Sequence, residues 1–224
     1  NADSAKVDLE RLGAMARRLN ADRRIDRDAV FGLKNEALRT LWSSFGTNQH
    51  FEQYCESRGS ALREFATYCA LAEDFGGDWR SWDPQYGSPQ QPGVQNFASD
   101  QTERIRYHMW LQWLLDLQLK EAADTLPLVN DLPIGVDPGG ADAWAWQGVL
   151  AGGATVGAPP DDFNTQGQNW QLPPFIPHQL RAAEYVPFRE TVSAALRHAG
   201  GLRIDHVMGL FRLFWIPAQF GPQD

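Results

Sequence analysis

The residues best suited to chemistry lie in the segment Gly201-Leu-Arg-Ile-Asp-His-Val-Met-Gly-Leu-Phe-Arg-Leu-Phe-Trp-Ile-Pro217. Leu202, Ile204 and Val207 are strand formers and predict a short apolar strand over 201–207. Arg203 and Asp205 interrupt it two residues apart, which puts them on one face, and His206 follows. A guanidinium can hold a carboxylate in its ionised form and orient it. A carboxylate fixed at a strand end can act as a nucleophile or stabilise a cation. The bland alternative is an Arg–Asp ion pair of the kind many strand ends carry. On residue types alone both readings stay open, as does a hydrogen-bonded structural role for His206.

A second constellation is Gly157-Ala-Pro-Pro-Asp-Asp-Phe-Asn-Thr-Gln-Gly-Gln-Asn-Trp170. Pro159 and Pro160 stiffen its start, and Gly157 and Gly167 permit special backbone angles. Asp161, Gln168, Asn169 and Trp170 supply polar groups and one ring, a set that suits hydroxyl recognition with apolar stacking. The alternative is a surface loop held by Asx turns. The turn Asp137-Pro-Gly-Gly-Ala-Asp142 has a metal-like look. Its simpler reading is that Gly139 and Gly140 bend the chain and Asp142 starts a short helix. The histidines at 50, 108, 178, 198 and 206 show no metal spacing, and Gly76-Gly77 and Gly152-Gly153 lack a phosphate-loop or dinucleotide pattern. No metal or cofactor is expected.

The elements that must position these groups can be read in order. A helix is predicted over 4–20, with Ser4 as cap and Leu9, Leu12, Met15, Ala16 and Leu19 inward. Asp26 caps a second helix to about Phe45, with Val30, Leu33, Ala37, Leu38 and Leu41 apolar. A third helical region, 49–72, is broken near Arg58-Gly59. Residues 74–98 carry Gly and Pro without periodicity and predict a loop, whose Trp79, Trp82 and Tyr86 either staple it to the domain or form a sugar-facing aromatic surface. Asp100 and Glu103 form a capping box for a helix to about Ala123. Its centre, Met109 to Leu119, is apolar nearly all round and predicts burial on most sides. A strand over 126–136 follows, then an irregular excursion over 137–176 with a short helix at 141–147. A helix over 187–199 leads to the strand at 201–207. Helix and strand alternate as in a parallel α/β sheet.

The 224 residues suffice for one domain, and 43% are apolar, so a packed core is expected. Nine tryptophans are many for this length; flat aromatic faces suit sugar C–H surfaces as well as cores. A net charge of −8 argues against nucleic acid and anionic membranes as partners and is silent about a neutral substrate. Cys55 and Cys69 are expected as free thiols in a reducing, cytoplasmic setting. No apolar run of membrane-spanning length occurs.

Gly201-Leu-Arg-Ile-Asp-His-Val-Met-Gly209 resembles the strand-four motif of the amylomaltases, the 4-alpha-glucanotransferases of glycoside hydrolase family 77 in the alpha-amylase clan. Gly157 to Trp170 resembles the loop that covers the glucan in that family. Asp131-Leu-Pro-Ile-Gly-Val136 with Gly139-Gly-Ala-Asp-Ala-Trp144 resembles its third strand and the turn after it, and Ile25 to Trp42 an upstream helix. One departure is Gly139, where some amylomaltases carry Asp. The resemblance implies an α/β fold that is part of a (β/α)8 barrel: a helical insertion over 1–73, a loop over 74–98, then over 99–224 a barrel helix, strands three and four, and a glucan-covering loop within 137–176. It implies Asp205 as the nucleophile, Arg203 as the group that keeps it ionised, and His206, Asp161, Gln168, Asn169 and Trp170 as substrate contacts. The implied donor is an α-1,4-glucan, and the implied acceptor glucose or a maltodextrin. An amylase or branching enzyme is a further reading, against which the Gly-Ala-Pro-Pro-Asp loop speaks.

Such chemistry also needs a carboxylic acid to protonate the leaving oxygen. In the family a Glu on the next strand does this. Only nineteen residues follow Asp205, and a (β/α)8 barrel needs about 250. The chain is therefore expected to be an internal fragment, inactive alone, or else a non-catalytic glucan-binding module derived from such an enzyme.

Overall fold

A computed structural model describes residues 2–224, with side chains from Lys6 onward. The side chain of Ser4, expected as a cap, lies outside the described residues. The chain divides into two units, residues 1–53 and 54–224.

The first unit holds helix α1 (Ala2–Leu19), helix α2 (Arg27–Ser43) and the start of helix α3 (Gln49–Phe75). Asp26 caps α2 as expected, its Oδ1 accepting the Ala29 N–H at 3.0 Å. Arg11 joins Glu36 in an exposed ion pair at 2.6 Å, and the rings of Trp42, Phe45 and Phe51 pack on one another. Leu12 and Phe51 are buried, but α2 fully buries none of its residues; Val30 and Leu41 of its expected inner face are exposed.

The second unit starts within α3, which kinks at Gly59 (φ 56°, ψ −139°), as the Arg58-Gly59 break predicts. Beyond the kink, Leu62, Ala66, Tyr68 and Leu71 face inward. Residues 74–98 differ from the expected loop: 3-10 turns at Trp79–Ser81 and Pro84–Tyr86 lead into helix α4 (Pro92–Asp100). Proline at the first positions of α4 starts it, because a helix's first N–H groups need no partner within it. The staple is real: Trp82 packs with Tyr68, Leu71, Val94 and Trp144 in one buried cluster, and Trp79 donates its indole N–H to the Pro138 carbonyl at 3.0 Å.

Helix α5 (Thr102–Thr125) begins without the expected Asp100–Glu103 capping box; Gln101 sits at the cap and makes no side-chain capping bond. Its first half buries Ile105, Tyr107, Met109, Trp110 and Trp113, whereas Leu115 and Leu117 are exposed. Burial on most sides therefore holds only up to Trp113.

Five strands follow. β1 (Val129–Asp131) and β4 (Gly201–Arg203) pair in parallel, Asp131 opposite Arg203. Between them run helix α6 (Ala141–Ala145), strands β2 (Ala154–Ala158) and β3 (Gln168–Leu172), and helices α7 (Pro177–Ala182) and α8 (Val186–Leu196). Strand β5 (Phe214–Pro217) closes the chain and pairs antiparallel with β2, which also pairs antiparallel with β3. The excursion over 137–176 is thus not irregular: it carries a helix and a β-hairpin. Both parallel strands are shorter than expected, since Pro127 and Pro133 flank β1 and a tight turn ends β4. The parallel pair, its connecting helices and the small antiparallel sheet make an α/β fold.

Candidate active site

The site is built at the carboxyl ends of β1 and β4, where open α/β folds place their reacting groups. The ladder runs one step beyond the strands, Leu132 N–H donating to the Arg203 carbonyl at 2.9 Å. After Ile204 the chain turns sharply. His206 adopts left-handed backbone angles (φ 47°, ψ 45°) and starts a 3-10 turn over Val207–Leu210. Such a conformation costs a non-glycine residue about 1–3 kcal/mol and persists only where its surroundings fix it. Its N–H donates to Asp205 Oδ1 at 2.9 Å, so the turn sets the carboxylate's orientation.

Arg203 is engaged elsewhere than expected. Its Nε lies 2.7 Å from Asp131 Oδ1, the residue opposite it in the parallel ladder, and among the described residues it makes no ion pair with Asp205. The reason is local: β4 ends at Arg203, so the period-two alternation that would align the two side chains stops between them. Asp131 thus joins the strand-end cluster. The resemblance placed it in a motif but gave it no role, and the signal that could have found it is its position as last residue of a strand paired with β4.

Asp205 and His206 line an open cleft of about 450 Å³. Pro133, Ile134, Phe175 and Trp215 give it apolar walls, and Arg181, Tyr185 and Arg212 add polar groups. Apolar walls with a few convergent polar groups are what a ligand cleft needs. A larger cavity of about 880 Å³ takes in Asn130 and Asp131 but neither Asp205 nor His206. The expected nucleophile thus lines the smaller of the two.

The hairpin β2–β3 carries the second constellation, which meets the lining of this cleft where Trp170 touches His206. Gly157 is there for close approach: a Cβ would run into the Gln168 carbonyl oxygen across the ladder and into Ile216 of β5. Gly167 instead needs its positive φ of 67°, so only one of the two glycines serves the expected purpose. At the hairpin tip Asp161 Oδ1 accepts the N–H groups of Phe163 and Asn164, at 2.9 and 2.6 Å, and its own N–H donates to the Asn164 carbonyl. This is the Asx turn of the simpler reading. The Trp170 ring lies against the His206 imidazole, with centroids 4.6 Å apart, and its indole N–H donates to Gln168 Oε1 at 3.0 Å. The fold therefore brings Asp205, His206, Trp170 and Gln168 together. Among the described residues the Asp161 carboxylate bonds only within its own loop.

The turn after β1 is used by the fold. Asp137 Oδ1 accepts the Gly139 N–H at 2.8 Å, and the Gly139 carbonyl accepts both the Tyr68 hydroxyl and the Trp79 N–H. No grouping of His, Cys, Asp and Glu among the described residues could hold a metal ion. No described helix is long and apolar enough to cross a membrane.

The model of the 4-alpha-glucanotransferase family, glycoside hydrolase family 77, matches residues 3–223. A 4-alpha-glucanotransferase of Mycobacterium tuberculosis is 44% identical over 228 residues, covering 94% of this chain and 32% of the relative. One from Haemophilus influenzae is 32% identical, covering 86% and 31%. The amylomaltase structure from Corynebacterium glutamicum superposes with a TM-score of 0.72 at 37% identity, covering 88% of this chain and 28% of that one. The Streptococcus agalactiae amylomaltase, solved with acarbose, shares the fold with a TM-score of 0.74 at 19% identity, covering 87% and 45%. The chain spans about a third of the length of the curated relatives it matches. With its motifs, its strand-end carboxylates and a family match along nearly its whole length, the chain belongs to the 4-alpha-glucanotransferases of glycoside hydrolase family 77.

Proposed function

We propose that this chain is the nucleophile-bearing part of an enzyme that transfers α-1,4-glucan segments by a retaining double displacement. The observation that carries the reading is the place of Asp205: an exposed carboxylate just beyond β4, on the wall of an open cleft, with one oxygen held by the N–H of His206, whose ring meets Trp170. In the first step a carboxylate oxygen of Asp205 attacks the anomeric carbon. The bond to the leaving sugar oxygen breaks, and that oxygen takes a proton from a carboxylic acid. In the second step a 4-hydroxyl of glucose or a maltodextrin attacks the same carbon, gives its proton to the same acid–base group and releases Asp205. Two inversions give retention. The scheme uses no cofactor.

The acid–base group is proposed to belong to the part of the relatives' length that this chain does not span. β1 and β4 are proposed as neighbouring strands of a (β/α)8 barrel. Arg203 then acts on Asp205 through its nearby positive charge, while its contact is with Asp131. His206 and Trp170 face the sugar, and the polar atoms that Asp161, Gln168 and Asn169 leave free meet its hydroxyls. The hairpin shields the glycosyl-enzyme from water. The proposed setting is the cytoplasm.

A chimera tests this. Residues 1–224 replace the matching segment of the Mycobacterium tuberculosis relative, and the product is incubated with maltotriose. The expected result is longer maltodextrins from the chimera, none from the 224 residues alone, and a loss of at least about 10³-fold with Asp205→Asn. Undiminished transfer by the Asp205→Asn chimera would contradict the reading. Glucan binding without transfer by the intact chimera would instead favour a non-catalytic module.

A further inference from the structure

Trp170 sits in a break of the ladder. β2 and β3 pair at Val156 with Leu172 and at Gly157 with Asn169, so Trp170 and Gln171 have no partner on β2. Such a bulge re-aims a side chain and leaves backbone groups to be satisfied another way. Here Asn169 Oδ1 accepts the Gln171 N–H at 2.8 Å, and Gln171 takes a left-handed φ of 60°. Glutamine has no intrinsic liking for that conformation, so the Asn169 contact fixes it. With the bulge closed in this way, the indole is held at its N–H by Gln168 and lies tilted against the His206 ring, centroids 4.6 Å apart. His206 is itself left-handed, and its N–H holds Asp205 Oδ1.

We propose that Asn169 and Gln168 are positioning residues for Asp205. They lock the bulge so that the Trp170 ring braces the His206 turn. The turn then occupies Oδ1 of the carboxylate and leaves Oδ2 as the attacking oxygen. This rests on Asp205 being the nucleophile, and it gives Asn169 and Gln168 a task besides any contact with sugar. The two amides divide their labour by atom: the oxygen of each works inside the protein, and the NH2 of each is free for a hydroxyl.

Asn169→Asp separates the two tasks, since it keeps the acceptor and removes the donor; Asn169→Leu removes both. The first readout is the ring-current displacement of the His206 imidazole proton resonances in the 224-residue chain, with Trp170→Leu as the baseline. The displacement is expected in the unmodified chain, is kept by Asn169→Asp, and falls to the baseline in Asn169→Leu. If Asn169→Leu does not fold, Asn169→Asp still decides: loss of the displacement there overturns the proposal, as does its full retention in a folded Asn169→Leu chain. The second readout is kinetic, in the chimera. Asn169→Leu lowers kcat about tenfold or more, because a misplaced nucleophile slows the chemical step, and raises KM as well, because the donor to the sugar is lost with the acceptor. Asn169→Asp changes mainly KM. An unchanged kcat in Asn169→Leu would also overturn the proposal, while the nucleophile reading is judged separately by Asp205→Asn.

Discussion

Arg203 and Asp205 stand two apart in sequence, yet the guanidinium turns to Asp131 on the neighbouring strand. Both members of that pair are more than half exposed, with side-chain exposures of 65% and 61%. Exposed ion pairs contribute about 0–1 kcal/mol, so stability is a poor reason for this one. Arg203→Met is expected to lower the stability of the 224-residue chain by less than about 1 kcal/mol in urea denaturation. The same change in the chimera is expected to cut transfer at least about tenfold, because a positive charge near the nucleophile is lost. A large stability loss with unchanged transfer would make Arg203 a structural residue. At this scale residue type and family pattern singled out Asp205, His206 and Trp170, which the fold makes neighbours. Neither could give Arg203's partner, because register across a parallel pair is a tertiary fact.

The hairpin shows how an element delivers a residue. Gly157 is hemmed in by the Gln168 carbonyl and the Ile216 side chain, so that β2 can carry β3 on one edge and β5 on the other. Gly157→Ala is expected to cost about 2 kcal/mol or more, since the added methyl collides with backbone that cannot give way. Gly59→Ala, in open space but at φ 56° and ψ −139°, angles close to glycine's own region, is expected to cost about 1–3 kcal/mol, from conformation and not from collision. Urea denaturation checks both variants, and an unchanged stability in either would refute its account. The helices α1, α2, α3, α5 and α8 were legible from apolar spacing, caps and the Arg58-Gly59 break. The hairpin was not: proline, glycine and Asx turns dominate its composition, and strands of five residues are too short for alternation to stand out. β5 was likewise hidden, because its pairing with β2 joins residues some sixty apart, Val156 with Trp215.

For the molecule as a whole, the described residues show two characters, one inside and one at the surface. Tyr68, within the buried aromatic cluster, and Cys69, packed against it, are acids that the fold keeps neutral. Burial, with smaller help from nearby carboxylates, pushes each up to about 12. An unfolded chain releases the cysteine proton first, near its ordinary value of about 8.5. Stability from Cys69 is therefore fully present below that pH and is lost as pH rises toward 12. Denaturation at rising pH should show the decline beginning near pH 9, with the Cys69 thiol slow to react with a thiol reagent until the protein unfolds. The other character is an apolar run left open around the site. Ile204, Val207, Met208, Leu210 and Phe211 are all exposed, Phe211 at 83%. Ile204, Leu210 and Phe211 also line the cleft, so part of this apolar run belongs to its walls. The most direct test of the central claim uses a fluorinated α-glucosyl fluoride, whose fluoride leaves without protonation and whose ring fluorine slows breakdown of the ester. After incubation of the chimera, peptide mass spectrometry is predicted to find the sugar esterified to Asp205. An ester on another carboxylate, in a chimera that still transfers glucan, would contradict the account.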